Sequence, residues 1–379
     1  MINADLTVPI EGVKVEIIGN LLVVRSEHPL KTLSSAVLNG GLREANIIVN
    51  CQVPKDYDHA DPQGYLSHAV RKAGFSPERA VGLMTAVDIK KAAAATVQHH
   101  DLTVSSIVTA GLSNATKAGE NSSTKKTETI NVILLINGNL TDCCMVDALK
   151  TAVEAKTVAL RELDIRSSIS FEPASGTSTD SIVVACTKRG KTIEYAGTAT
   201  KIGEIIGVSV IKAIRNAIRK QEGIVSTRPL INRLRERGIT LADLIDSALE
   251  LFQPHPGVET KEKALKMLRE GFEQALSDIN VAALVISGLR LEEDGRYGLI
   301  PGLTGEDFKK DPLFLLADEI LGMAIANYIA GSRGLFEFVR FDKIKPGILK
   351  RLGPILDDVI CGIVAGVSSN VYTMALVKK

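Results

Sequence analysis

The stretch Gln221-Glu222-Gly223-Ile224-Val225-Ser226-Thr227-Arg228, followed by Pro229, separates two unlike halves of the chain. Upstream of it, short runs rich in Val and Ile alternate with helical patterns. Downstream, the apolar residues recur almost everywhere with a helical period. Gly223, Ser226 and Pro229 interrupt any continuous helix, so residues 223–228 read as a linker. The expectation is two domains: an N-terminal α/β or α+β domain over 1–222 and a C-terminal all-α helical bundle over 229–379.

Immediately before the break, residues 202–219 carry apolar side chains at 202, 205, 206, 210, 214 and 218, the stripe of a half-buried helix. Further upstream, 13–18 and 21–25 read as a hairpin around Gly19-Asn20. Runs 46–53, 80–84, 102–109, 131–136 and 182–186 read as strands, and 191–195 as a partner of the last across Lys188-Arg189-Gly190. Helices are expected over 61–73, 88–96 and 141–161, and the polar patch 117–129 reads as an exposed loop. Beyond the break, helices are expected over 230–237, 241–252, 261–277, 281–289, 308–330 and 356–376.

Composition excludes several function classes. Lys plus Arg number 45 against 44 for Asp plus Glu, and aromatic residues make up 4% with no Trp. Neither an electrostatic footprint nor a stacking platform for nucleic acid is present. Five cysteines without a C-x-x-C pair read as reduced, mostly buried thiols. The first residues lack the basic and apolar regions of a signal peptide. The uncharged stretch 359–377 holds Ser368, Ser369 and Asn370 at its middle, so it reads as a buried helix and not a membrane span. A cytoplasmic protein without membrane partners is expected, its oligomeric state open.

In the first domain, three neutral loops rich in hydrogen-bonding groups accompany the strands. They hold Asn39-Gly40-Gly41, Ser113-Asn114 and Gly176-Thr177-Ser178-Thr179-Asp180. Such loops suit a ligand edged with carboxamides better than one edged with phosphates, although Asn-Gly and Ser-Gly also make plain turns. The run Pro54-Lys55-Asp56-Tyr57-Asp58-His59 adds Asp56 and His59 as acid–base candidates. Amide cleavage then has two routes. Thr177, Ser178 or Thr179 attacks, or Asp56, His59 or Asp180 activates water. No cofactor is read for this domain.

In the second domain, Asp318-Glu319 and Asp357-Asp358 each interrupt an otherwise apolar helix. Carboxylates on apolar faces are costly unless paired or metal-bound. Acids also favour helix N-termini, which explains Asp357-Asp358 after Gly353-Pro354 but not the other pair. Between them lies Arg340-Phe341-Asp342-Lys343-Ile344-Lys345-Pro346. Carboxylates for a divalent metal beside Arg and Lys are the parts of a phosphoester hydrolase, and oxygen ligands favour Mg²⁺ or Mn²⁺.

The strings LSSAVLNGG, VGLMTAVD, IVTAGLSNATKAGE, SGTSTDSIVVA and IEYAGTATKIGE, in this order over about residues 10–210, resemble the adenosylcobinamide amidohydrolase family. The resemblance implies cleavage of the amide that joins the corrin ring to its aminopropanol arm, giving adenosylcobyric acid. ADEILGMAIA, VRFDKIKP and LGPILDDVICGIVAG, over about 230–379, resemble the phosphatidylglycerophosphatase A family. A soluble branch of that family acts on alpha-ribazole 5′-phosphate. Carried over, the resemblance puts a magnesium-type ion on Asp318, Glu319, Asp357 and Asp358. It gives Arg340, Asp342, Lys343 and Lys345 the phosphate and the attacking water. The expectation is a bifunctional hydrolase of cobalamin biosynthesis or salvage. The alternatives are an amidase fused to a membrane lipid phosphatase, and a corrinoid-binding module without turnover.

Overall fold

The long strand β2 organises the N-terminal half. In the computed structural model, which describes residues 6–58, 60–121 and 128–377, the elements in chain order are β1 (Val13–Ile18), β2 (Leu21–Ser34), β3 (Gly41–Gln52), α1 (Pro62–Lys72), β4 (Ala80–Thr85), β5 (Ala93–His99), β6 (Leu102–Ala110), β7 (Ala115–Thr116), β8 (Ile130–Asn137), β9 (Asn139–Leu140), α2 (Asp142–Glu162), β10 (Gly176–Thr177), β11 (Ser181–Cys186), β12 (Thr192–Ile193) and α3 (Lys201–Glu222). Eight strands form one mixed sheet in the order β4-β3-β2-β11-β8-β6-β5, with β1 also on β2. One edge of β2 pairs with β3, while the other is shared by β1 (through Ser26) and β11 (from Lys31).

Alternation along the strands separates two faces. Val132, Leu134 and Ile136 pack with α2 and α3, including the α3 stripe Ile202, Ile205, Ile206, Val210, Ile214 and Ile218. Ile133 and Leu135 point the other way, into a core shared with Leu22, Val24, Ile48 and Leu83 from the far strands. The sheet therefore curls over itself, and α1 covers the outside of β2 and β3 through Leu66 and Val70. Each long helix starts at a side-chain cap: Asp61 for α1, Thr141 for α2 and Thr200 for α3. Helix α3 stops at Gly223, which takes the left-handed conformation.

Two local expectations fail in this half. Residues 88–96 are not a helix: a short turn (Ile89–Lys91) leads into β5. The alanines there have helical propensity, but Ala93 and Ala95 fill sheet positions in unbroken register with β6, and tertiary pairing overrides propensity. The short strand near 191–195 pairs in parallel with β9 and not with β11.

The chain divides into two compact units, Met1–Thr227 and Arg228–Lys379. The second contains α4 (Leu230–Arg235), α5 (Leu241–Glu250), α6 (Lys261–Ser277), α7 (Ile279–Arg296), α8 (Gly305–Phe308), α9 (Ala317–Ile344) and α10 (Pro354–Val377). Ile355, Val359, Ile360, Ile363, Val364 and Val367 make α10 its central core helix. Among the described residues α10 alone has the length and composition to cross a membrane, and 83% of its apolar window is buried within the protein.

Residues 308–330 are not one helix: α8 ends at Phe308 and α9 begins at Ala317. Moreover, 331–344, which lies outside the expected helices and holds Arg340 to Ile344 of the cationic run, is helical. Gly331 (φ 61°, ψ −150°) reverses the chain within α9, a conformation open almost only to glycine. The first limb runs beside α10 in the same sense, with Ile329 accepting from Asn370, and the second returns past Cys361 at Phe338.

Each unit has its own core, so 1–222 and 228–379 expressed separately are expected to give folded circular dichroism spectra. A random-coil spectrum from both would place the boundary elsewhere.

Candidate functional sites

At one end of the curled sheet, buried amides replace apolar residues. Asn131 on β8 donates to Asn50 Oδ1 on β3 (2.9 Å) and to the Met84 carbonyl on β4 (2.7 Å). Asn50 in turn donates to Thr109 Oγ1 on β6 (2.9 Å). All three side chains are buried, so this ladder fixes four strand ends together. The loops flanking β7 and β10 meet just outside it, because those strands pair with each other. Asn114 donates to Ser178 Oγ (2.9 Å), and Thr129 Oγ1 donates to the Thr179 carbonyl (2.8 Å).

Two carboxylates hold these loops differently. Asp180 Oδ1 accepts from Ile130 N (3.0 Å) and the Thr177 hydroxyl; Oδ2 accepts from Thr177 N (3.1 Å) and the Lys156 ammonium. A carboxylate has about four acceptor positions, and Asp180 uses all of them. Glu128, 6% exposed, accepts from Lys55 Nζ at 3.0 Å and from Ser113 N at 3.0 Å. Burial pushes its carboxyl up, but the Ser113 N–H and Lys55 outweigh burial and hold it below the ordinary range. Glu222, at the end of α3, behaves oppositely. Partial burial of its carboxyl, then the charge of Glu128, pushes it above the ordinary range, against the lowering effect of the Leu112 backbone.

In the second unit, Asp318, Glu319 and Asp358 converge: one oxygen from each lies within 4.8 Å of the others. Two glycines permit this. A Cβ on Gly322 would sit 2.5 Å from the Asp358 carbonyl, and one on Gly362 would sit 2.3 Å from the Gly322 carbonyl. Each glycine lies one turn beyond its acid, so close backbone contact between α9 and α10 draws the acids together. Glu292 on α7 fixes the start of α10 by accepting from Ile355 N (3.0 Å) and Leu356 N (3.4 Å). Burial pushes Asp318 to about 7, helped by Glu319. It pushes Asp358 to about 8, helped by the charges of Asp357, Asp342 and Asp318. Asp357 rises less, to about 6, because the Lys345 ion pair opposes its burial. Glu319 Oε2 and Asp358 Oδ1 are buried without a hydrogen-bond partner.

The adenosylcobinamide amidohydrolase family model matches residues 8–226. The chain belongs to that family. Its amidohydrolase unit is followed by a phosphatidylglycerophosphatase A-like phosphatase domain, whose family model matches residues 272–373. An adenosylcobinamide amidohydrolase of Methanosarcina mazei is 32% identical over 190 residues, 48% of this chain and 86% of that protein. The one from Halobacterium salinarum is 28% identical, over 48% of this chain and 78% of its own. The low temperature requirement C protein of Listeria monocytogenes is similar over 38% of this chain and 93% of its own, at 29% identity and a TM-score of 0.34.

Within the amidohydrolase unit the expected residues separate. Ser113, Asn114, Gly176, Thr177, Ser178, Thr179 and Asp180 assemble at the strand ends. Gly176 is required there, since a Cβ would come within 2.3 Å of Asp180. Asp180 has both oxygens engaged by four donors, the bonding of a loop anchor. Asn39 is also structural: its amide donates to the Pro77 and Ala80 carbonyls (both 2.7 Å). Gly40 and Gly41 turn the chain into β3, Gly41 at φ 83°. Asp56 is exposed beside Lys55, and His59 lies outside the described residues. Glu128 went unnoticed because it sits in a polar patch that reads as a plain loop.

In the phosphatase domain, Asp342 lies close enough to raise Asp358, and Lys345 pairs with Asp357. Asp357 is thus a partner of lysine, while the carboxylates that gather are Asp318, Glu319 and Asp358. Arg340 turns away from them, donating to Glu337 at 2.7 Å and the Leu251 carbonyl at 3.4 Å. Lys343 is exposed on the returning limb.

Proposed function

We propose that the chain is a bifunctional hydrolase serving cobalamin biosynthesis or salvage. One unit converts adenosylcobinamide to adenosylcobyric acid, and the other releases phosphate from alpha-ribazole 5′-phosphate. The amidase reading rests on the family and on the neutral rim of hydroxyls and amides. The phosphatase reading rests above all on the convergence of Asp318, Glu319 and Asp358.

Two buried orphan oxygens in an all-oxygen donor set fit a hard divalent ion, Mg²⁺ or Mn²⁺, held by Asp318, Glu319 and Asp358. When bound, such an ion supplies charge neutralisation and activation of water. Lys345, fixed by Asp357, supplies a cation for the phosphate, with Lys343 at the rim. Asp342, whose charge acts on Asp358, is the group assigned to take the proton of the attacking water. Arg340 is not used.

Phosphate release from alpha-ribazole 5′-phosphate is expected to vanish with EDTA and return with Mg²⁺. Unchanged release under chelation would remove the carboxylate–metal mechanism.

One observation favours a second reading. Leu313, Phe314, Leu316 and Ile320 beside Asp318-Glu319 are more than half exposed, an apolar border that suits a lipid phosphate. Vesicle-borne phosphatidylglycerophosphate hydrolysed faster than the nucleotide would establish that reading in place of the first.

A further inference from the structure

The amidohydrolase unit lacks any nucleophile elbow or zinc motif, so its proton-moving groups have to be found by geometry. Among its described residues two carboxylates are buried, Asp164 and Glu128. Asp164 is paired with the buried guanidinium of Arg166. Asp180 has both oxygens filled. Glu128 remains, placed where the two converging loops meet the amide ladder.

Glu128 is not isolated. Its Oε1 holds Lys55 Nζ at 3.0 Å, and that lysine is 76% exposed, so its ammonium sits between a buried anion and the solvent side. Glu222 approaches the same lysine from the end of α3, with its carboxyl accepting from the Leu112 backbone, two residues before Asn114. Three elements distant in sequence thus bring a carboxylate, an ammonium and a second carboxylate to one point. The loop after β3, the start of β8 and the end of α3 share no local reason to meet there.

We infer that Glu222 and Lys55 are the catalytic groups of amide hydrolysis and that Glu128 positions Lys55, an inference that rests on the amidohydrolase reading above. Glu222 takes a proton from water as the water oxygen bonds to the amide carbon, and the carbonyl π pair moves onto oxygen. Lys55, aimed by Glu128, stabilises that oxyanion. When the C=O bond re-forms, the C–N bond breaks, and Glu222 returns its proton to the leaving aminopropanol nitrogen. The new carboxylic acid then gives its own proton to the amine, leaving carboxylate and ammonium, and Glu222 is restored. The opposite displacement of the two carboxyls supports the division: the one pushed up carries protons, and the one held down stays charged to orient the lysine.

The test uses the full chain with adenosylcobinamide, following cobyric acid and, in the same samples, phosphate release as a control for folded protein. Glu222→Gln is expected to lower kcat about a hundredfold to ten-thousandfold with KM changed only a few-fold. Lys55→Met is expected to lower kcat at least about tenfold, with a modestly lower melting temperature, because the buried Glu128 carboxylate loses its cation but keeps the Ser113 N–H. Glu128→Gln is expected to behave like Lys55→Met, and the double variant to be no worse than either alone, since both act through one ammonium. Glu222→Gln within tenfold of wild type overturns the proton carrier. Additive losses in the Glu128–Lys55 double variant overturn their joint role. If Glu128→Gln melts early, Lys55→Met and Glu222→Gln still decide. A wild-type chain inactive on adenosylcobinamide defeats the amidohydrolase reading itself, a result distinct from any of these.

Discussion

Asp318→Asn and Asp358→Asn, made singly, are each expected to lower release of phosphate from alpha-ribazole 5′-phosphate by at least about a hundredfold. Each removes one of three converging carboxylates. The same substitutions are expected to raise the melting temperature of the metal-free protein. Burial and mutual repulsion push Asp318 to about 7 and Asp358 to about 8, well above their ordinary value of 3.8. A folded-state pKa raised in this way favours the folded protein fully below about pH 4. That contribution is lost as pH rises through the folded values of about 6 to 8 for Asp357, Asp318 and Asp358. Chelated wild type should therefore melt progressively earlier between about pH 6 and 8, and Mg²⁺ should reverse the loss by binding only the folded state. A structural salt-bridge role would make both variants less stable instead. Calorimetry with EDTA and with Mg²⁺ across that pH range separates the two.

Asp180→Ala is expected to be the most destabilising single change in the amidohydrolase unit. It strands Lys156, whose side chain is 10% exposed, and frees the N–H groups of Ile130 and Thr177. Breaking a buried pair from one side costs about 3–5 kcal/mol, or roughly 6–20 °C in the melting of a unit this size. Amidase activity should fall with it, because the loop bearing Thr177, Ser178 and Thr179 loses its anchor. Lys156→Met combined with Asp180→Ala should recover part of the melting temperature, since the unpaired charge is then gone. A single variant that melts with wild type would show that Asp180 is free, and would return it to the candidates for activating water.

Reading the chain residue by residue located most elements but misjudged some by purely local signals. The α3 stripe from Ile202 to Ile218 and the helices expected over 61–73 and 141–161 rest on local signals, and they appear in the structure where expected. The 88–96 segment misled because alanine propensity is local while the pairing of β5 with β6 is not. The run around Asp342 falls between the expected helices because nothing local announces that Gly331 reverses one helix into another.

The candidate sites divide in the same way. Asp318-Glu319 and Asp357-Asp358 were visible as charges inside apolar helices, since burying a carboxylate is costly enough to be conspicuous in any register. Their sorting was not visible. Lys345 claims Asp357 twelve residues on, Arg340 turns to Glu337 on its own helix, and Glu292 fixes the helix start from 63 residues away. In the amidohydrolase unit the neutral loops were visible by composition, whereas Glu128 and Lys55 were indistinguishable from solvated surface charges. By itself the sequence determined the two-part organisation, the fold class of each part and the families they resemble, because hydrophobic period and motif order are properties of the chain. Which carboxylates stand free and which are consumed as anchors was decided only by tertiary structure. A side chain's role depends on whether its oxygens meet donors at the fold's own strand ends and helix crossings, and those neighbours come from distant sequence.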